Sequence, residues 1–269
     1  MRPQRQWTEL KDKALQDTDD ALRTLQTFPP LDEMTVQRLR EELMLESTYD
    51  SNAIEGSCLT LRETVIVVKD AVTVGSGLPI RDVMAARGYA AGFEAIFDLA
   101  PDETPLTVET VRDFHRYVML GELPKFCGLF RDHDVGILGA SFKPANPGEI
   151  AEKVSDLVEW FNRAASTHPI ERAAIFHAVF ETIHPFADGN GRTGRLLMNY
   201  MLVQAGYWPV NVRCKEDRQI YYDALTEFNQ TGKADALTTL IAKRAKDQLD
   251  YCIHIAKQKA LVEQMGIGR

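Results

Sequence analysis

The sequence predicts an all-α fold that carries one small β-hairpin. Apolar residues recur at helical spacing through most of the 269 residues, and short stretches with proline or glycine separate the helical segments. Only residues 121–147 differ in character, because glycines and prolines concentrate there and the apolar pieces are short. Within them, Val135–Gly139 predicts the edge of a β-hairpin.

The N-terminal part of the chain predicts a series of helices. Pro29 and Pro30 end the first of them, and Asp32 is a residue type that favours the N-cap of the next. Gly56 suits a helix C-terminus. The third segment is rich in β-branched residues, but charges interrupt it and its length favours a buried helix. The predicted segments are 7–27, 31–44 with a continuation to residue 56, 60–74 and 80–99.

A linker at residues 101–105 precedes the second series of helices. Thr107 is a candidate N-cap for the first of these, and apolar residues follow it at helical spacing. The further helical segments are 150–161, 171–183, 196–203, 219–228 and 237–255.

Composition narrows the function classes. A net charge of −8 without a basic stripe argues against direct nucleic-acid binding. No run approaches the ~20 apolar residues of a membrane span, and the N-terminus lacks the apolar core of a signal peptide. The four cysteines form no Cys-x-x-Cys pair, which favours thiols in a reducing compartment. We therefore expect a cytoplasmic protein with no membrane partner. The cysteines are Cys58, Cys127, Cys214 and Cys252.

The stretch His184–Arg195 combines groups that suit nucleotide phosphates. Its glycines let backbone N–H groups approach a ligand, and a helix beginning just after them would attract an anion. Two arginines add charged forks that fit phosphate oxygens. Asp188 would repel the same anion unless a divalent cation lay between them, and Mg²⁺ commonly bridges one carboxylate and substrate phosphates. His184 can accept a proton near neutral pH.

The same stretch also matches a dinucleotide-binding fingerprint, Gly189-x-Gly191-x-x-Gly194. That motif requires a strand before it and a helix after it. Residues 172–183 instead show helical spacing, so we reject this interpretation.

The residues from His184 to Arg195 read His-Pro-Phe-x-Asp-Gly-Asn-Gly-Arg-x-x-Arg, which resembles the signature of the Fic family at every fixed position. The resemblance implies a Fic-type helical bundle that transfers AMP from ATP to a Ser, Thr or Tyr hydroxyl of a target protein. It implies His184 as the catalytic base, Asp188 as the ligand of Mg²⁺ or Mn²⁺, and Phe186 as an anchor in the core. The implied ATP-binding residues of this stretch are Asp188, Gly189, Asn190, Gly191, Arg192, Gly194 and Arg195.

A second resemblance lies near the end of the predicted helix that reaches residue 56. Glu55 stands in its last turn, where a negative charge opposes the helix dipole. Ser51-x-x-x-Glu55-Gly56 resembles the Fic inhibitory pattern, in which the glutamate pairs with the second arginine of the core motif. By position that partner is Arg195. The resemblance thus implies an inhibitory helix at about residues 42–56.

Two more segments resemble functional parts of the family. Val135, Gly136, Ile137 and Leu138 occupy the place of a flap that holds the target segment by strand pairing. An ordinary surface hairpin is the alternative. Tyr221, Tyr222 and Asn229 resemble a segment that contacts adenine and ribose, although core aromatics and a helix-ending asparagine would look the same.

These observations predict three regions: 1–104 with the inhibitory helix, a catalytic core at 105–243, and a C-terminal helix and tail at 244–269. His177 is interpreted as a core histidine and not as half of a metal pair. Two alternative functions stay open, namely removal of AMP by the same site and nucleotide sensing without turnover. A homodimer is left open as well.

Overall fold

The computed structural model describes residues 4–70, 77–100, 104–119, 121, 124–136 and 142–264, and it places side chains from residue 8 to residue 262 of these. Within these ranges the fold is all-helical, with α-helices, two short 3-10 turns and no strand. The predicted all-α fold is confirmed. The α-helices are α1 Gln4–Gln26, α2 Glu33–Ile54, α3 Leu61–Lys69, α4 Ile80–Leu99, α5 Val108–Met119, α6 Ile150–Arg163, α7 Pro169–Ile183, α8 Asn190–Gln204, α9 Arg218–Thr231 and α10 Asp235–Gln264.

The predicted helix caps are present. Asp32 begins α2 and accepts a hydrogen bond from the Thr35 N–H at 2.9 Å. Thr107 does the same for α5, where the Thr110 N–H lies 3.0 Å from its hydroxyl. Gly56 follows α2 with a φ of +94°, a conformation that glycine adopts without steric cost.

The β-branched segment is helical, as its length predicted. α3 begins with a capping box in which Thr60 and Glu63 satisfy each other's backbone N–H groups. Two such bonds at the N-terminus offset the low helix propensity of the valines that follow.

Helices α7 and α8 form the centre of the molecule. Both are buried around most of their circumference, as expected for helices surrounded by others. Phe176 and Phe180 of α7 and Leu196 and Leu202 of α8 are fully buried. α1 and α10 pack side by side at the edge, joined by a 2.8 Å hydrogen bond from the Thr18 hydroxyl to the main chain of α10. The loop between α7 and α8 is therefore held at both ends by the core.

The predicted hairpin lies only partly in the described ranges. Val135 and Gly136 form no strand. Ile137 and Leu138, the other two residues of the predicted flap, lie outside the described residues. The flap therefore stays a prediction.

No helix of the described residues is both long and apolar enough to cross a membrane. All four cysteines lie in the described ranges, and none of them forms a disulfide.

Candidate functional site

The loop between α7 and α8 takes its shape from two left-handed residues and one buried ring. His184 ends α7 with φ 52° and is the only non-glycine with positive φ among the described residues. Gly189 begins α8 with φ 74°. Between them the fully buried Phe186 stacks on His115, with ring centroids 3.6 Å apart. A non-glycine held in this region indicates backbone strain, which recurs at functional sites.

Asn190 closes the loop from inside. Its side-chain oxygen accepts the Phe186 N–H at 2.9 Å, and its side-chain amide donates to the Phe186 carbonyl at 2.9 Å. Both polar groups of this buried side chain are thereby used within the loop. In this conformation Asn190, predicted to bind ATP, acts by fixing the direction of the Gly189–Gly191 backbone.

Two residues that sequence reasoning assigned no role hold the outside of the loop. The buried Arg131 donates to the carbonyl oxygens of His184 at 2.8 Å and of Ala145 at 2.6 Å, so it joins the segments on both sides of the predicted flap to the loop. His115 bonds the Asp188 carbonyl at 3.1 Å and accepts the Gly128 N–H at 2.8 Å. The only signal for this in the sequence was the position of Arg131, four residues before the predicted flap.

His184 is placed as a neutral base. Burial lowers its pKa to about 4, although the main-chain oxygen of Glu181 opposes this shift. The Nδ1 atom has no hydrogen bond of good geometry within the described part of the chain, and the carboxyl of Glu181 lies 4.0 Å from it. At neutral pH the imidazole is uncharged and can accept a proton.

Asp188 lies at the mouth of the loop and is paired there. Its Oδ2 accepts from Arg81 of α4 at 2.7 Å, a partner that the sequence did not predict. Its Oδ1 accepts the Gly189 N–H at 2.6 Å and lies 3.8 Å from Arg192 Nη2. No cluster of three or more His, Cys, Asp or Glu residues that could hold a metal occurs among the described residues.

The site nonetheless fits a cation that is bound jointly with phosphates. Asp188 supplies one partly exposed carboxylate, a hard oxygen ligand, beside the N-terminus of α8. Mg²⁺ usually takes one or two carboxylates and completes its shell with water and substrate phosphates.

Glu55 and Arg195 form the predicted ion pair. Arg195 Nη2 lies 2.7 Å from Glu55 Oε1, and the arginine side chain is only 3% exposed while that of Glu55 is 39% exposed. Ser51 joins the pair, since its hydroxyl and its carbonyl oxygen accept from Arg195 at 2.9 and 3.0 Å. Burial alone would lower the pKa of Arg195, but the charge of Glu55 and the nearby hydroxyls of Tyr221 and Tyr89 together outweigh it, so the pKa is raised.

Gly191 leaves the space that Glu55 fills. A Cβ atom at this position would collide with Glu55 Oε1 and would lie 3.1 Å from Arg195 Nη1. The carboxylate of Glu55 therefore rests on the first turn of α8, where unpaired N–H groups attract anions. An anionic ligand of this helix terminus and Glu55 would compete for the same place.

Tyr221 and His177 lie behind Arg195. Tyr221 is 1% exposed, and its hydroxyl lies 2.7 Å from His177 Nε2 and 3.4 Å from Arg195 Nη1. Burial lowers the pKa of His177 to about 3. His177 is thus a buried core histidine, as predicted, and Tyr221 supports Arg195 in this conformation.

The other two predicted adenine contacts lie nearer the surface. Tyr222 donates to the Ile54 carbonyl at 3.3 Å, so it contacts the end of the helix that carries Glu55. Asn229 accepts from the Thr182 hydroxyl at 2.9 Å. Thr182 borders a cavity of about 960 Å³ with an apolar lining that includes Val179, Ile183, Trp160 and Phe228.

Together these groups can bind and activate a phosphate ester. His184 ends α7, Asp188 lies in the loop that follows, and Arg195 is in the second turn of α8, so one loop brings a neutral imidazole, a carboxylate, a helix N-terminus and a guanidinium together. A proton acceptor beside a preorganised anion site is the arrangement that phosphoryl and nucleotidyl transfer require.

Comparison with known proteins gives concordant matches. Residues 105–202 match the model of the Fic/DOC family. Protein adenylyltransferase Fic of Drosophila willistoni is 32% identical over 217 residues, which are 80% of this chain and 43% of that protein. Protein adenylyltransferase Fic of Aedes aegypti is 33% identical over 220 residues, 81% of this chain and 43% of that protein. The chain thus spans less than half the length of these relatives.

Two solved structures share the fold. Fic-1 of Caenorhabditis elegans superposes with a TM-score of 0.82 at 27% identity, covering 93% of this chain and 74% of that one. A Fic domain containing signaling protein from Bacteroides thetaiotaomicron superposes with a TM-score of 0.81 at 26% identity, covering 90% and 97%.

Proposed function

Because this chain carries a domain of the Fic/DOC family, we propose that it is a protein adenylyltransferase, which transfers AMP from ATP to a hydroxyl side chain of a target protein. The observation that carries the proposal is the neutral His184 held at the edge of the anion site on α8. The names of the curated relatives support the same activity.

In the proposed reaction, His184 accepts the proton of the target hydroxyl as that oxygen attacks the α-phosphorus of ATP. The bond from the α-phosphorus to the bridging oxygen of pyrophosphate breaks, and pyrophosphate leaves. The N–H groups at the start of α8, with Arg192 and Arg195, stabilise the negative charge on the phosphates, and a divalent cation at Asp188 would neutralise more of it. Arg131, His115 and Asn190 keep the loop rigid, so that little reorganisation is needed during the reaction.

Nucleotide recognition follows from the neighbouring contacts. We propose that the adenine ring of ATP lies on the side of Tyr222 and Asn229, next to the apolar cavity beside Thr182. Apolar walls with a few polar groups are typical of sites that bind a flat heterocycle. The predicted flap at residues 135–138 would present the target hydroxyl from the opposite side.

We further propose that the natural chain is autoinhibited by Glu55. Its carboxylate occupies both Arg195 and the first turn of α8. These are the groups that would hold the terminal phosphate of ATP, so bound nucleotide is kept out of the productive position.

One observation favours a second activity. Glu55 is partly exposed and lies beside the proposed phosphate site, so its carboxylate could accept a proton from water. The same site would then remove AMP from a modified protein by hydrolysis. Incubation of AMP-modified target with the natural chain and with Glu55→Ala tests this, since only the natural chain should release AMP.

The experiment that tests the proposed transferase compares Glu55→Ala with the double variant Glu55→Ala, His184→Ala. Each is incubated with Mg²⁺, ATP labelled at the α-phosphate, and cell lysate. We expect labelled protein from the single variant and none from the double. Equal labelling by both would show that His184 is not the base.

A further inference from the structure

Glu181 is a buried acid that the proposed reaction does not use. It lies on α7, three residues before His184, and its side chain is only 12% exposed. Its Oε1 is buried and has no hydrogen-bond partner among the described residues. A buried polar atom without a partner costs stability, so a ligand that bonded this carboxyl would remove that cost.

The carboxyl of Glu181 lies between the two ends of the proposed phosphate site. Its Oε2 is 4.0 Å from His184 Nδ1. Its Oε1 would be only 2.8 Å from a Cβ atom at Gly194, the residue directly before Arg195. A nucleotide whose α-phosphorus lies at His184 and whose terminal phosphate lies at Arg195 must therefore pass close to this carboxyl.

Neither histidine beside Glu181 has its Nδ1 atom bonded to the carboxyl, since both Nδ1 atoms are without a hydrogen-bond partner among the described residues. His184 already faces the main-chain oxygen of Glu181, and the Nε2 atom of His177 is bonded to the Tyr221 hydroxyl. Because Gly194 has no side chain, the first turns of α8 pack directly against Oε1. The 12% of the side chain that stays exposed is the part of the carboxyl that a ligand can reach.

We propose that Glu181 binds the nucleotide as a neutral carboxylic acid and donates its proton to a phosphate oxygen. The inference rests on the proposed function for the identity of the ligand as a nucleoside triphosphate. A neutral acid suits this place because it is a hydrogen-bond donor, whereas a carboxylate would repel the phosphates.

The charges around Glu181 favour the neutral acid. Burial, and then the charge of Glu55, raise the pKa of Glu181 to about 8, while Arg195 opposes the shift. The other titratable groups that face it are Tyr221 of α9 and two histidines of α7, His177 and His184, whose pKa values of about 3 and 4 leave them uncharged at neutral pH. A triphosphate that replaces Glu55 brings more negative charge, so it would keep the acid protonated.

The test measures nucleotide affinity as a function of pH, without turnover. Glu55→Ala and its double variants with Glu181→Gln and Glu181→Ala are titrated with α,β-methylene-ATP and Mg²⁺ between pH 6 and pH 9. The affinity of Glu55→Ala should fall about 10-fold or more between pH 7 and pH 9, because binding then requires uptake of a proton. Glutamine keeps a donor that cannot ionise, so its affinity should change less than about 3-fold beyond the change common to all variants. Alanine should bind about 10-fold more weakly at pH 7.

Two results would overturn the inference. One is an affinity of Glu55→Ala that is no more pH-dependent than that of the glutamine variant. The other is a glutamine variant that binds as weakly as the alanine variant at pH 7, which would show that a neutral hydrogen-bond donor at this position does not hold the nucleotide. Glutamine is isosteric with the neutral acid, so thermal unfolding of this variant serves as the check on folding. Because binding is measured without transfer, failure of AMP transfer would count against the proposed function and not against this inference.

Discussion

Replacement of Glu55 by alanine should make the stability of the fold depend on nucleotide. In the natural chain Arg195 is satisfied by Glu55, at 2.7 Å, and by two hydrogen bonds to Ser51. The variant keeps the bonds to Ser51 and the 3.4 Å contact with the Tyr221 hydroxyl, but the buried guanidinium loses its counter-charge. The phosphates of ATP can supply a new one, because they are expected to enter the same space above Gly191.

The size of the effect follows from burial. Breaking a buried ion pair by removal of one partner costs ~3–5 kcal/mol. Glu55 is 39% exposed, so water already screens the pair and would solvate the freed guanidinium. We therefore expect a loss of about 1–2 kcal/mol without nucleotide. For a chain of this size that lowers Tm by roughly 2–8 °C. A ligand at 100 times its Kd increases the free energy of unfolding by about 2.7 kcal/mol.

Thermal unfolding with and without Mg²⁺ and ATP measures both the stability lost with Glu55 and the stability gained from nucleotide. Alanine is the better replacement, because residue 55 has an ordinary φ of −82° and glycine would add flexibility. The nucleotide-dependent rise in Tm should be larger for Glu55→Ala than for the natural chain. A matched control is Glu42→Ala, which removes an exposed carboxylate of the same helix. If ATP raises the Tm of Glu55→Ala no more than that of the natural chain, Glu55 and the phosphates do not compete for Arg195.

Three further predictions concern the base, the cation and the flap. Because burial lowers the pKa of His184 to about 4, transfer by Glu55→Ala should persist down to about pH 5 and be lost as the pH falls through about 4. A pH–rate profile measures this, and a half-maximal rate near pH 6.5 would contradict the prediction. In the Glu55→Ala background, Asp188→Asn should raise the Mg²⁺ concentration for half-maximal transfer by about 10-fold. Arg81→Ala keeps the carboxylate and should not raise it. Equal responses to Mg²⁺ in Glu55→Ala and in both double variants would show that Asp188 does not bind the cation. Ile137→Pro takes away a backbone donor, so it should impair target labelling more than ATP binding, and equal loss of both would indicate misfolding.

Local patterns in the sequence were sufficient for the helices and for part of the site. The N-caps at Asp32 and Thr107 depend on residues only three positions away, and both are present. Phe186, which the resemblance implied as an anchor in the core, is fully buried. The Glu55–Arg195 pair joins distant parts of the chain, and it was predicted only because it belongs to a recognised motif.

The contacts that hold the loop between α7 and α8 could not be predicted from the sequence. Arg131, His115 and Arg81 reach it from three different segments, and nothing in their local pattern sets such long-range contacts. For Tyr221 the sequence pattern allowed two interpretations, and the structure distinguishes between them. A Tyr-Tyr pair fits both an adenine contact and a core position, and the packing of α9 buries the first tyrosine beneath Arg195.

Glu181 shows why composition alone misses some site residues. A glutamate in an apolar helix is read as a surface residue, because buried charges are rare. Here the turn of α8 that contains Gly194 packs over it, and burial with the nearby Glu55 raises its pKa to about 8. Its chemistry depends on two helices that the sequence does not show to be adjacent.

The position of the label in the product tests the central claim most directly. Glu55→Ala is incubated with a target-containing lysate and with ATP labelled at the α-phosphate or, in parallel, at the γ-phosphate. Transfer of AMP predicts labelled protein from the α-label only, with release of pyrophosphate and dependence on His184. Protein labelled from the γ-phosphate, or no labelling of any protein from the α-phosphate, would contradict the assignment of this chain as an adenylyltransferase.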